Sequence, residues 1–178
     1  MNKLFLVLFC GLLAHASFAE KGLIPFRELD KYGYLDLSGK VVIPARFDKS
    51  FPFSECVGRF THKDLFDYIN ADGRLVVGSV FREAFDFKEG LARVKDGPVW
   101  SFIDKTGKEK FTVVGEKLTD FENGHAIFTR QGSFGHINTG GKEIFPPLLT
   151  QAEPFITAVA RAHVGQFYGL TAATGDSV

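Results

Sequence analysis

Sulfur, tryptophan and net charge are all scarce in this sequence. Its 178 residues include two cysteines, one methionine and one tryptophan, and 21 basic residues balance 21 acidic ones. A neutral chain without a Lys/Arg block excludes polyanion binding, because counterion release needs a clustered basic surface. The longest apolar run, residues 4–13, is too short to span a bilayer, which takes roughly 20 residues. With so little cysteine, a disulfide framework is also excluded, and stability has to come from packing and hydrogen bonds.

That apolar run has the grammar of a secretory leader. Lys3 supplies the positive start, and Ser17-Phe18-Ala19 places small residues at the −3 and −1 positions of a cleavage site. Cleavage after Ala19 is expected, with a secreted or periplasmic destination; an uncleaved anchor is the alternative. Cys10 follows Phe9 inside the apolar run, where a lipoprotein site needs a small residue. Removing residues 1–19 takes away Lys3 and no acid, leaving 20 basic and 21 acidic residues and a formal charge of −1. Cys56 is then the one cysteine left, so no bridge inside the mature chain is expected.

What the chain has in abundance is phenylalanine: 20, against 4 tyrosines. Phe has no polar handle, so burial is its simplest use. The aromatic residues also recur. Stepping by 34 from Trp100 reaches Tyr32, Phe66, Phe134 and Tyr168. Seven residues after each stand Gly39, Gly73, Gly107, Gly141 and Gly175. The columns Phe53, Phe87, Phe121, Phe155 and Leu35, Ile69, Ile103, Ile137 keep the same step. Self-similarity at a fixed period marks a repeat architecture. The units are a partial one at 20–31, whole ones at 32–65, 66–99, 100–133 and 134–167, and a partial one at 168–178.

Each unit reads as strands and turns. Segments 32–36, 66–70, 100–104 and 134–138 are aromatic and β-branched. Each ends in Asp/Asn-x-x-Gly: Asp36 to Gly39, Asn70 to Gly73, Asp104 to Gly107 and Asn138 to Gly141. The short side chain caps a type I turn, and Gly supplies a positive φ. A second apolar strand follows, then a third after the Phe53 column, so each unit is expected to be a three-strand meander. No segment has a helical period.

These units resemble WG repeats, whose pattern runs roughly W-G-[YF]-I-[DN]-x-x-G-K, then P-x-[FY]-[DE], then F-x-x-G-x-A. The first unit carries Tyr32-Gly33-Tyr34-Leu35-Asp36 with Gly39-Lys40, then Ile43-Pro44 and Phe47-Asp48. The third carries Trp100-Ser101-Phe102-Ile103-Asp104, and Phe87-Lys88-Glu89-Gly90-Leu91-Ala92 completes the pattern in the second. Tryptophan survives once, the following glycine is Asp67 and Ser101 in two copies, and the fifth copy has Thr171-Ala172 in place of Ile-Asp. The resemblance implies a β-repeat array without an established enzymatic activity.

One 34-residue unit cannot bury both its rings and its strand face, whereas stacked units can, each buried Phe or Leu stabilising by roughly 1.5–3 kcal/mol. An open, twisted, solenoid-like all-β array is therefore expected. Propeller-like closure is the alternative, although 34 residues are few for a four-stranded blade.

Candidate chemistry is thin. His62, His125, His136 and His163 fall in four different columns, with no metal-ligand spacing among them or to Cys56. His136 shares a column with Tyr34, Tyr68 and Phe102, which points to packing. Asn70-Ala71-Asp72-Gly73 lacks a calcium loop's first ligand, since Tyr68 stands there. Thr139-Gly140-Gly141-Lys142 lacks the Ser/Thr and first Gly of a phosphate loop, and Ser133 is not in a nucleophile elbow. No catalytic residue, cofactor or metal is expected. The leading reading is a non-catalytic scaffold for a protein or peptide partner. A cell-wall or surface carbohydrate is the alternative, if the rings of Tyr32, Trp100 and Tyr168 are exposed. An enzyme with its site in the divergent ends is the third.

Overall fold

Aromatic and β-branched segments of about six residues, each punctuated by a turn signal, have one cooperative outlet: antiparallel hairpins that stack. A computed structural model describes residues 22–76, 81–154, 156, 159–164 and 167–172. They form seventeen strands in five antiparallel sheets, with no helix among the described residues. Sheet 1 holds β1 (Ile24–Glu28), β2 (Lys31–Leu35) and β3 (Val41–Phe47). Sheet 2 holds β4 (Lys49–Ser54), β5 (Val57–His62) and β6 (Leu65–Asn70). Sheet 3 holds β7 (Glu83–Ala84), β8 (Leu91–Lys95), β9 (Trp100–Asp104) and β10 (Glu109–Val113). Sheet 4 holds β11 (Lys117–Leu118), β12 (His125–Arg130), β13 (Ser133–Asn138) and β14 (Glu143–Leu149). Sheet 5 holds β15 (Gln151–Ala152), β16 (Val159–Val164) and β17 (Phe167–Ala172). The expected leader lies outside the described residues, and no described helix is long and apolar enough to cross a membrane.

The all-β repeat reading holds, with two refinements. A short strand precedes the three expected ones, giving four-stranded sheets at β7–β10 and β11–β14. Each sheet also straddles a unit boundary: β7 and β8 come from unit 66–99, and β9 and β10 from unit 100–133. The register nevertheless steps by the repeat. Phe26↔Gly33, Phe60↔Asp67, Val94↔Ser101, Phe128↔Gly135 and Ala162↔Gly169 are all cross-strand pairs.

Apolar cores fill the spaces between successive sheets. Tyr34, Ile43, Phe53 and Ile69 pack between sheets 1 and 2. Tyr68, Phe87, Ala92 and Ile103 pack between sheets 2 and 3. Phe102, Phe121, Ala126 and Ile137 pack between sheets 3 and 4. Rings meet edge to face there, Tyr34 with Phe53 at 4.9 Å and Tyr68 with Phe87 at 5.1 Å, which favours the quadrupoles of both rings.

The turns follow the side-chain chemistry read in the sequence. Asp36 Oδ1 accepts from Ser38 N, Ser38 Oγ and Lys40 N. Asn70, Asp104 and Asn138 accept from the same two backbone positions after them. The Ser38 hydroxyl and then the Lys40 amide hold the Asp36 carboxyl below its usual pKa, and Thr106 leads in doing so for Asp104. Gly39, Gly73, Gly107 and Gly141 sit at φ between 76° and 83°, a region that costs glycine little.

Candidate functional site

The repeat-defining residues lie at different depths. Trp100 is buried, whereas Tyr32, Phe66 and Phe134 are half-buried. Phe53, Phe87 and Phe121 are buried in successive junctions. Tyr168 lies in β17, while Phe155 and Gly175 are outside the described residues. The deepest column is the one two positions on, Tyr34, Tyr68, Phe102 and His136.

Three members of that column latch their sheet to the next, and Phe102 packs there without a polar atom. Tyr34 Oη donates to Phe51 O at 2.8 Å, and Tyr68 Oη donates to Phe85 O at 2.6 Å. His136 Nε2 lies 3.0 Å from Glu153 O, the same seventeen-residue offset. His136 is therefore a buried structural group, and burial lowers its pKa. Desolvation raises the Tyr34 phenol to about 12, so it stays a donor at neutral pH.

Arginine closes two of the junctions. The Arg59 guanidinium lies 3.9 Å from the Phe51 ring centre and 5.4 Å from that of Phe66, and its Nε donates to Asp86 at 2.9 Å. Arg93 repeats this between Phe85 and Trp100, with Asp120 as its partner. Both arginine side chains are only 14% exposed. Arg93→Met keeps the apolar stem but removes the charge, so a loss of about 1–3 kcal/mol is expected in urea unfolding. Arg82→Met, which breaks the exposed 3.8 Å pair with Asp96, should stay within about 0.5 kcal/mol. Equal losses would contradict a stacked role for Arg93. A second link runs alongside: Glu55 Oε2 accepts from Gly90 N, and Glu89 Oε2 from Gly124 N.

At the next junction the arginine arrangement is dismantled. Stepping by 34 replaces Phe85 with Thr119, Arg93 with Ile127 and Asp120 with Pro154. A cleft of about 580 Å³ opens there. Lys88, Arg93, Asp120 and Glu122 give its walls mixed charge, and Leu118, Phe121 and Ile127 supply apolar surface. His125 and His136 also line it. No serine or cysteine stands beside a base in this lining. Among the described residues, no three His, Cys, Asp or Glu side chains group so as to hold a metal. The sequence reading missed this cleft, although the loss of both Arg and Phe from their columns was the signal for it.

Asp67 is the one buried carboxyl among the described residues, 7% exposed, with Tyr68 N donating to its Oδ1. Desolvation raises its pKa from 3.8 to about 6. The folded state thus holds this proton more tightly than the unfolded one, and stability falls as pH rises between those two values. Asp67→Asn should remove that fall and stabilise at pH 7 by up to about 3 kcal/mol. The lowered pKa of His136 acts in the opposite direction below its ordinary value, and it cancels between the two proteins. Urea midpoints across pH 4–7 test this; parallel curves would contradict it.

Residues 32–55 and 68–97 match the family described as WG containing repeat, and the chain carries WG repeats over these segments. No curated protein matches the sequence. Among solved structures it is similar to BamB from Moraxella catarrhalis, at 12% identity and a TM-score of 0.45, over 88% of this chain and 57% of that one. Kluyveromyces lactis Hsv2 is similar at 10% identity and a TM-score of 0.48, over 89% and 60%. A protein of unknown function from Bacteroides caccae is similar at 12% identity and a TM-score of 0.33, over 89% and 77%. The chain thus spans little more than half of the first two.

Proposed function

We propose that this chain is an exported, non-catalytic repeat scaffold that binds a protein or peptide partner in the bacterial envelope or outside the cell. The cleft along sheet 4, lined from Arg93 of sheet 3 to Pro154 beside sheet 5, carries the reading. Charges of both signs line it together with apolar Leu118, Phe121 and Ile127, a combination suited to a polypeptide segment with mixed side chains. Export is supported by Lys3, the apolar run at 4–13 and the small residues Ser17 and Ala19. The carbohydrate alternative needs exposed rings, yet Trp100 is buried with Arg93 and Lys95 against its indole.

Thr119 is exposed and lines the cleft, so a photoreactive residue there probes the site in intact cells. A specific protein neighbour should be captured from position 119 and not from the exposed Lys110 on β10. No protein neighbour above background at position 119 would remove the reading.

A further inference from the structure

Sheets 2 and 3 are each closed toward the next sheet by side chains at fixed columns: a ring, a guanidinium and an aspartate of the following sheet. The ring is Phe51 in one and Phe85 in the other, and both are half-buried. The guanidinium carbon lies 3.9 Å from the centre of the first ring and 3.3 Å from that of the second. Each ring also has a second one 6.0 Å away, Phe66 for Phe51 and Trp100 for Phe85. In sheet 4 the three columns hold Thr119, Ile127 and Pro154, while Phe134 keeps the second ring. Thr119, Ile127 and Pro154 all line the cleft.

The three changes belong together. Losing the ring alone would bare an arginine, and losing the arginine alone would leave a carboxylate without its partner. With both charges gone, the place of the ring is bounded by an aliphatic side chain and a proline. No larger side chain fills it, since Thr119 is smaller than Phe and exposed, and Ile127 is shorter than Arg. Charge stands beside this seat. Lys88 and Glu122 share a column, both are exposed and line the cleft, and neither makes an ion pair among the described residues. Arg93 and Asp120, by contrast, satisfy each other.

We infer that the partner segment taken by this cleft anchors through an aromatic side chain, seated at Thr119 against Ile127 and Pro154, with charged residues of both signs beside it. The inference rests on the cleft being the docking site proposed above, and it names what that site selects. The earlier junctions supply the template, because Phe51 and Phe85 put a ring of the chain's own at this column. The column spacing would bring an incoming ring to Phe134 as Phe85 comes to Trp100, an aromatic pair that an aliphatic anchor cannot form. An acidic neighbour of the ring meets Lys88, and a basic one meets Glu122.

The test is an NMR titration of the chain with acetyl-Asp-Phe-Lys-amide and acetyl-Lys-Phe-Asp-amide, each repeated with Leu or Ala in place of Phe. At least one Phe peptide should bind at millimolar concentration or below. Its Leu version should bind about 3-fold or more weaker, and its Ala version about 10-fold or more weaker. Thr119→Phe puts a ring of the chain's own in the seat. At an exposed position it should keep circular dichroism and melting, while the Phe peptide loses about 10-fold or more in affinity. Equal binding of the Phe and Leu peptides, no binding of either Phe peptide, or unchanged binding by Thr119→Phe overturns the inference. Cross-linking in cells is made with an aliphatic photoreactive side chain at position 119, which leaves the seat open to a ring. A neighbour captured there alongside equal Phe and Leu binding overturns the aromatic anchor and leaves the scaffold reading standing. Ring-selective binding with no neighbour captured removes the scaffold reading and keeps the selectivity of the seat.

Discussion

Gly33→Ala should destabilise the protein by about 3 kcal/mol, at the upper end of what overpacking usually costs. A Cβ on Gly33 would stand 2.4 Å from Ile43 O and 2.7 Å from Ala45 N. Both are backbone atoms of β3 and cannot swing aside. The crowding comes from a bulge: Tyr32 pairs with Phe47 while Tyr34 pairs with Ile43, so Gly33 alone lies opposite Pro44, Ala45 and Arg46 of β3. The same spacing recurs at Gly135, where Phe134 pairs with Leu149 and His136 with Phe145. There a Cβ would meet Phe145 O and the Phe128 ring, each at 2.7 Å. In the third copy Trp100 pairs with Val113 and Phe102 with Phe111, residue for residue, and Ser101 occupies the glycine position. Ser101→Gly should therefore cost no more than about 1 kcal/mol, the entropy of a strand glycine. Denaturation midpoints measure all three variants. A Gly33→Ala loss within about 0.5 kcal/mol would mean that β3 does not press on β2.

Phe87→Ala is the other large effect, expected at about 3–5 kcal/mol. The ring is 1% exposed and sits in the core shared by sheets 2 and 3. Its backbone carbonyl accepts from Ser54 Oγ at 2.7 Å, which fixes the chain around any cavity and limits collapse. Stability in a repeat array is close to a sum of unit and nearest-neighbour terms. Weakening a middle junction should then split the unfolding transition, with sheets 1 and 2 separating from sheets 3 and 4. Leu29→Ala, at an exposed hairpin tip, is the control and should leave the transition single. A loss below about 1 kcal/mol for Phe87→Ala would contradict the buried junction.

The step of 34, the all-β class and the Asp/Asn-x-x-Gly turns were legible because identity recurs in columns and short acidic or amide side chains cap turns locally. Depth was not legible in the same way. Tyr32 and Tyr34 lie on one face by strand alternation, and only the assembled sheet puts Tyr34 under the next sheet and leaves Tyr32 nearer the rim. The short first strands escaped because two residues, as in β7 and β11, carry no period. The phase between sequence unit and sheet is likewise a matter of which hairpins pair, and columns are blind to it. His136 read as packing, and it packs; its bond to Glu153 O needed the neighbouring sheet. The Arg59 and Arg93 column, each with an aspartate 27 residues on, was present in the sequence and would have predicted the closed junctions. Its interruption at Ile127 would have predicted the cleft.

Stacking of interchangeable 34-residue steps is tested most directly by deleting residues 66–99. Leu65 then runs into Trp100, and every junction partner is replaced by its column mate. Arg59 would stack on Trp100 and pair with Asp120, and Glu55 would cap Gly124. The account predicts a folded, cooperatively melting β protein with a buried tryptophan by fluorescence. A deletion of 66–95, four residues short of the repeat, should not fold. A 34-residue deletion that unfolds the chain, or a 30-residue deletion that is tolerated equally well, would contradict the account.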